Sequence, residues 1–300
     1  MSCLLTAAMS ERRLCPRPHG KARASHFPLV GRAASRNGEV VTAAKVTPND
    51  LRQMKVRGEP IAALTAYDFP MTRLLDEMGV PLLLVGDSLG MMVLGYPNTT
   101  LVTMEEMEHH VRAAARAQPR ALLGVDLPYH SYETPAAAVA NAGRLRDAGA
   151  EAVKAEGGRA ILDQIRAIVG AGIPFLGHLG MLPQHVLEEG GYRVKGRKEA
   201  ERENLLADAR ALEEAGAFAI VLELVTAPVA EEITKLLAIP TIGIGSGPGC
   251  DGQILVTPDL VGMFPWFTPK FVKPRTRGAE HFQLAVTAWM ESVREGRGGA

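Results

Sequence analysis

Residues 136–158 read AAAVANAGRLRDAGAEAVKAEGG. The first part, to Ala148, is a run of good helix formers. Gly149 stands just past it, where a left-handed residue ends a helix. Then comes Ala152-Val153-Lys154-Ala155, an apolar run of strand length, followed by the polar and flexible Glu156-Gly157-Gly158. Helix, glycine stop, strand and polar end make one unit of an alternating chain. The same stop recurs at Glu77-Met78-Gly79-Val80, Val169-Gly170-Ala171-Gly172 and Glu214-Ala215-Gly216-Ala217.

Outward from this unit, strand-length apolar runs fall at 61–67, 82–86, 121–125, 152–155, 175–179, 219–224 and 240–244, with an eighth placed at 260–264. Helical stretches lie between them at 71–78, 104–117, 136–148, 160–169, 202–215 and 229–237. Thr47-Pro48-Asn49-Asp50 opens a short helix ending near Gly58, with Thr47 as cap and Pro48 in the first turn. Thr103-Met104-Glu105-Glu106 reads as a capping box. A last helix is predicted at 279–293, and the tail at 295–300 should fray. Most strands are apolar on both faces, as buried parallel strands are. Eight such units predict an α/β fold, a closed (β/α)₈ barrel in preference to an open doubly wound sheet. The 300 residues suit one barrel, which needs about 250.

Formal net charge is zero, so no basic surface for nucleic acid is indicated. The balance is uneven. Residues 1–45 carry eight Lys/Arg against Glu11 and Glu39, so this leader is +6 and the remainder −6. Its Arg, Ala and Ser content is that of an organellar transit peptide, but no amphipathic stripe is evident. A disordered N-terminal extension over 1–45, or a start near Met9 or later, is the reading adopted. A single barrel domain is expected over 46–295. Cys3, Cys15 and Cys250 are odd in number and widely spaced, which implies neither a disulfide framework nor a zinc site. No run of 18 apolar residues suggests a membrane span. A cytoplasmic place is expected, mitochondrial if the leader is a transit peptide.

Barrel active sites lie where the strands end. Asp68 follows the first strand, Asp87 and Ser88 the second, and Asp126 the third; Lys154 and Glu156 end the fourth; His178 lies in the fifth and Glu223 in the sixth. Carboxylates converging on one rim repel unless a cation stands among them, and all-oxygen ligands favour Mg²⁺ over Zn²⁺. Asp68 is equally readable as a helix N-cap. Lys154 is a Schiff-base nucleophile or a fixed charge; neighbouring acids favour the charge. Glu223, flanked by Val221-Leu222 and Leu224-Val225, suits a general base, with an internal ion pair as the other reading. His178 is a packed core histidine or a catalytic one. Gly247-Pro248-Gly249-Cys250-Asp251-Gly252 matches G-x-G-x-x-G, but no helix clearly follows it, so a dinucleotide site is rejected.

Taken in order, Thr65-Ala66-Tyr67-Asp68, Val85-Gly86-Asp87-Ser88-Leu89-Gly90-Met91, Val125-Asp126-Leu127-Pro128, Val153-Lys154-Ala155-Glu156-Gly157-Gly158, Gly177-His178-Leu179-Gly180, Leu222-Glu223 and Gly243-Ile244-Gly245-Ser246-Gly247 closely resemble the ketopantoate hydroxymethyltransferase family. So do Gly190–Arg197 and Pro269–Lys273. The resemblance implies a barrel of the pyruvate/phosphoenolpyruvate type, usually assembled as a homodecamer. It implies transfer of a hydroxymethyl group from 5,10-methylenetetrahydrofolate to 3-methyl-2-oxobutanoate, giving 2-dehydropantoate, the first committed step toward pantothenate. It assigns Asp87, Asp126 and Glu156 to Mg²⁺, Asp87, Ser88, Asp126 and Lys154 to the oxo acid, and Glu223 to proton abstraction. The expected chemistry passes through an enolate whose charge Mg²⁺ and Lys154 offset. A Mg²⁺-dependent oxo-acid lyase or mutase of the same barrel type, and a non-catalytic metabolite-binding barrel, are the alternatives. The leader lies outside the resemblance, and after Met290-Glu291 the chain lacks the Tyr-Pro and aromatic ending many members carry.

Overall fold

A computed structural model describes residues 44–297. The expectation of a disordered leader falls almost wholly on residues outside that range, as does the end of the expected fraying tail. The elements run α1 (Pro48–Arg57), β1 (Ile61–Thr65), α2 (Phe69–Glu77), β2 (Leu82–Val85), α3 (Leu89–Met92), α4 (Met104–Ala115), β3 (Leu122–Asp126), α5 (Pro135–Asp147), β4 (Ala152–Lys154), α6 (Leu162–Gly170), β5 (Phe175–Gly180), α7 (Glu199–Glu214), β6 (Ala219–Glu223), α8 (Ala227–Leu236), β7 (Thr241–Ile244), β8 (Gly252–Leu255), α9 (Thr257–Leu260) and α10 (Gly278–Arg294). The eight strands are parallel and close in sequence order, β8 pairing back onto β1. Among the described residues no helix is long and apolar enough to cross a membrane.

Local chemistry sets the helix ends as read from the sequence. Thr47 and Asp50 form a reciprocal cap on α1, and Thr103 and Glu106 do the same for α4. Alternation along each strand then divides the apolar residues between two cores. Ile61, Ala63, Leu82, Leu84, Leu122, Leu176, Val221 and Ile242 pack with one another and with Leu51 of α1. Leu83, Val85, Leu123, Val125, Val153, Phe175, Ile220 and Leu222 pack with residues of the surrounding helices.

The eighth strand is not at 260–264. That segment forms the end of α9 and a turn at Gly262, which has φ +64°. The strand is Gly252–Leu255, inside Asp251-Gly252-Gln253-Ile254-Leu255. A run apolar on both faces is the signature of a strand covered on both faces. β8 is not so covered: Gln253 is exposed, as is Ala62 of the adjoining β1.

The helix coat has a gap here. β7 connects to β8 through residues 245–251 with no helix between. The glycines of that connection allow close approach to α8. A Cβ on Gly247 would lie 2.5 Å from that of Ala227, and one on Gly249 would lie 2.9 Å from that of Glu231. The backbone in Gly247–Gly252 therefore hugs a helix of its own barrel. The 17-residue α10 buries none of its residues. It holds Phe282, Val286, Trp289, Met290 and Val293 on one stripe, all exposed.

Leu51 is fully buried in the inner core, and Lys55 on the same helix bonds Asp251 Oδ2 (2.9 Å) and the carbonyls of Thr234 and Ile239. Leu51→Ala should lower stability by about 2–5 kcal/mol through the cavity it leaves. Denaturant unfolding should show a lower midpoint with an unchanged slope.

Candidate active site

Equal register between adjacent parallel strands puts their final inward side chains at one level. Asp126 ends β3 and Lys154 ends β4, and the two are register partners. Lys154 Nζ lies 2.7 Å from Asp126 Oδ1, and both side chains are buried. Beyond this ion pair that oxygen has no hydrogen-bond partner among the described residues. Asp126 Oδ2 instead accepts the backbone N–H of Asp87 (3.1 Å). Asp87 follows β2 and is buried; Ser88 beside it has its Oγ 2.8 Å from the Tyr67 hydroxyl.

Glu156 lies two residues beyond the end of β4. His178, inward on β5, stands between two acids without a hydrogen bond to either: its Nδ1 is 3.6 Å from Glu156 Oε1 and its Nε2 is 3.3 Å from Glu223 Oε2. Glu223 ends β6 in register with Gly180. A Cβ at Gly180 would fall 2.1 Å from the Glu223 carbonyl oxygen, so only glycine permits the two strand ends to approach this closely. The next residue, Leu224, has φ +49°, a costly conformation for leucine of the kind found at functional sites.

Four carboxylates thus surround one ammonium, shielded from water. Burial and the charge of Asp126 raise the Asp87 pKa to about 7. Burial and the charge of Asp87 push Glu156 well above the usual carboxylate range. Burial lifts Glu223 to about 7, against the pull of Lys154. Burial also works against charge on Lys154, but Asp126, Glu156 and Asp87 outweigh it, so the lysine holds its proton firmly. Burial and Lys154 drive His178 well below its ordinary value, which keeps the ring neutral. Neutral imidazole can pass or orient a proton but adds no positive charge to the cluster.

This excess of negative charge fits a divalent cation. The donors are carboxylate oxygens, and Asp126 Oδ1 has no partner among the described residues but the Lys154 ammonium. Among the described residues no three His, Cys, Asp or Glu stand together as a ready-made cage.

The structure brings together Asp87, Ser88, Asp126, Lys154, Glu156, His178 and Glu223 at the strand ends. It separates Asp68, which is exposed and caps α2 by accepting the Met71 N–H at 2.8 Å. Two site residues had no mark in the sequence reading. Gln184, after β5, donates to Asp87, and Tyr132, after β3, donates to Gln184. Both are uncharged and lie in loops, so a search for charge at strand ends passes over them. Their one signal is position, within a few residues of a strand's C-terminal end.

The family model described as ketopantoate hydroxymethyltransferase matches residues 45–298. The chain is 54% identical over 256 residues to the 3-methyl-2-oxobutanoate hydroxymethyltransferase of Moorella thermoacetica, covering 85% of this chain and 95% of that protein. It is 52% identical over 253 residues to the protein of the same name from Ignicoccus hospitalis, covering 84% and 96%. Among solved structures it resembles 2,3-dimethylmalate lyase, a PEP mutase/isocitrate lyase superfamily member (TM-score 0.55, 19% identity, 84% and 89% covered). It likewise resembles a phosphonopyruvate hydrolase complex with oxalate and Mg²⁺ (TM-score 0.57, 14% identity, 84% and 88% covered). At such identities the solved structures speak for the barrel alone, whereas the sequence matches carry more: this chain belongs to the ketopantoate hydroxymethyltransferase family.

Proposed function

We propose that this chain transfers a hydroxymethyl group from 5,10-methylenetetrahydrofolate to 3-methyl-2-oxobutanoate, giving 2-dehydropantoate. The observation that carries this reading is the arrangement at the mouth of the barrel. A firmly protonated lysine at the end of β4 and, two strands on at the end of β6, a carboxylate with its pKa raised to about 7 share one acidic cluster. Generating an enolate from a 2-oxo acid needs both: a base for the proton at C3 and a positive charge for the oxygen.

Asp87, Asp126 and Glu156 would hold Mg²⁺. When bound, Mg²⁺ would supply Lewis-acid polarisation of the oxo acid. Glu223 takes the C3 proton. A pKa of about 7 leaves it basic enough to accept that proton and acidic enough to release it. Neutral His178 stands 3.3 Å from Glu223 Oε2, next to the proton that this carboxylate would take. Lys154 faces the oxygen on which charge develops, and Ser88 with Asp87 and Asp126 completes the oxo-acid contacts. Water hydrolyses the methylene bridge of the folate, breaking both C–N bonds and releasing tetrahydrofolate and a formaldehyde unit; the enolate carbon adds to that carbonyl, and the proton held by Glu223 passes to the new hydroxyl.

A homo-oligomer is part of this proposal. Each chain has an apolar stripe on α10 without cover and an exposed strand pair, at Ala62 and Gln253, without a helix. The stripe of one copy against the bare face of another would supply both at once. Ten copies is the size that the family resemblance suggests. A cytoplasmic place accords with bacterial and archaeal relatives.

With Mg²⁺ and no folate, the wild type should exchange the C3 proton of 3-methyl-2-oxobutanoate in D₂O, followed by proton NMR; no exchange would sink the enolate step. Glu223→Gln should lose exchange by about 10²-fold or more while still binding the oxo acid. Normal exchange in that variant would assign the base elsewhere. Lys154→Ala should weaken oxo-acid affinity in calorimetry at least tenfold, through loss of a buried charge partner; an unchanged affinity would refute its charge role. The double variant Phe282→Glu, Trp289→Glu should sediment as a smaller species than the wild type, and a monomeric wild type would overturn the assembly.

A further inference from the structure

Gln184 is the middle residue of the 3₁₀ turn Pro183–His185, immediately after β5, and is 1% exposed. Its backbone N–H donates to Glu156 Oε2 at 2.9 Å. Its side-chain Nε2 donates to Asp87 Oδ2 at 2.8 Å and to the Leu127 carbonyl at 2.9 Å. Its Oε1 accepts the Tyr132 hydroxyl at 2.6 Å, and the same hydroxyl reaches the Glu156 backbone carbonyl at the longer distance of 3.3 Å. Both amide hydrogens therefore meet acceptors, and the carbonyl meets a donor. The reverse orientation would press an oxygen against a carboxylate and a carbonyl, so the amide has one stable setting.

Each of the three acids of the proposed metal site commits one oxygen to an N–H of the chain. For Asp126 the donor is the backbone of Asp87. For Asp87 and Glu156 both donors belong to Gln184. The second oxygens are differently placed: Asp126 Oδ1 meets the Lys154 ammonium at 2.7 Å, and Glu156 Oε1 stands 3.6 Å from His178. Two like-charged buried carboxylates on different loops would otherwise turn away from each other or take up a proton.

We infer that Gln184 is a positioning residue that sets the Asp87 and Glu156 carboxylates for a divalent cation, and that Tyr132 acts through it by fixing the amide. The inference rests on the proposed Mg²⁺ reading of these acids. Partners of this kind orient metal ligands without touching the metal, and their loss typically costs about 10–100-fold in metal affinity. The inference also divides the kinetics: the step that depends on oxo acid and metal should suffer, and binding of the folate donor should not.

The test uses the full-length protein and Mn²⁺ as probe, with free Mn²⁺ read by electron paramagnetic resonance. Gln184→Ala should raise the Mn²⁺ Kd at least tenfold and raise the KM for 3-methyl-2-oxobutanoate, with the KM for methylenetetrahydrofolate unchanged. Gln184→Met keeps the side-chain volume but lacks the donor, and should show the same loss if the alanine variant folds poorly. Tyr132→Phe should show a smaller loss, and adding it to Gln184→Ala should weaken binding no further. A lower melting temperature with an unchanged Mn²⁺ Kd in both Gln184 variants would reduce Gln184 to a structural role and overturn the inference. A wild type that binds no Mn²⁺ would overturn the metal reading itself.

Discussion

The ion pair between Asp126 and Lys154 is the contact on which the site depends. Both groups are buried, and a buried charge without a partner is costly by several kcal/mol. Pairing them fixes one positive charge among the acids. That charge opposes the upward drift of Asp87, Glu156 and Glu223 and helps keep His178 neutral. The pair exists because β3 and β4 end level with each other, so backbone register, set by the whole barrel, fixes the electrostatics of its mouth.

The cluster remains underneutralised, and the protein meets this with backbone as well as side chains. The Asp87 N–H and the Gln184 N–H each take up a carboxylate oxygen. Gly180 lets β5 and β6 close to the point where a methyl group would strike the Glu223 carbonyl. Leu224 then turns through a left-handed conformation at the end of β6. Strain and charge accumulate in the same few residues, while the opposite end of the barrel is closed by Leu51, Lys55 and Asp251 in ordinary packing and paired charge.

What the sequence disclosed and what it withheld follow from the same physics. Asp87, Asp126, Lys154, Glu156 and Glu223 were legible because a charged residue at the end of an apolar run is conspicuous. Seven strands were legible because each carries an apolar run, and six of them, β2 to β7, are covered on both faces. β8 was not, since its outer face lacks a helix and Gln253 interrupts the pattern. The Gly247–Gly252 stretch matched a nucleotide-loop pattern because glycine signals close approach without saying to what; here the neighbour of Gly247 and Gly249 is α8. Asp68 carried two readings, and only its bond to the Met71 N–H separates them. Gln184 and Tyr132 were silent because a neutral hydrogen-bonding side chain looks the same in a clamp as on a surface.

The seam between β1 and β8 joins the first and last strands of the barrel. Beyond the ladder, Thr257 bonds both the hydroxyl and the carbonyl of Thr65, across 192 residues of sequence. During synthesis, therefore, β1 emerges early and has no second neighbour until the last strand has left the ribosome. Its edge is open for that whole interval, at a translation rate of about 5–20 residues per second. An open edge of this kind is a template for pairing with another chain. The β1 edge is thus where a nascent or partly unfolded chain is most open to aggregation, and where a chaperone would have most to protect.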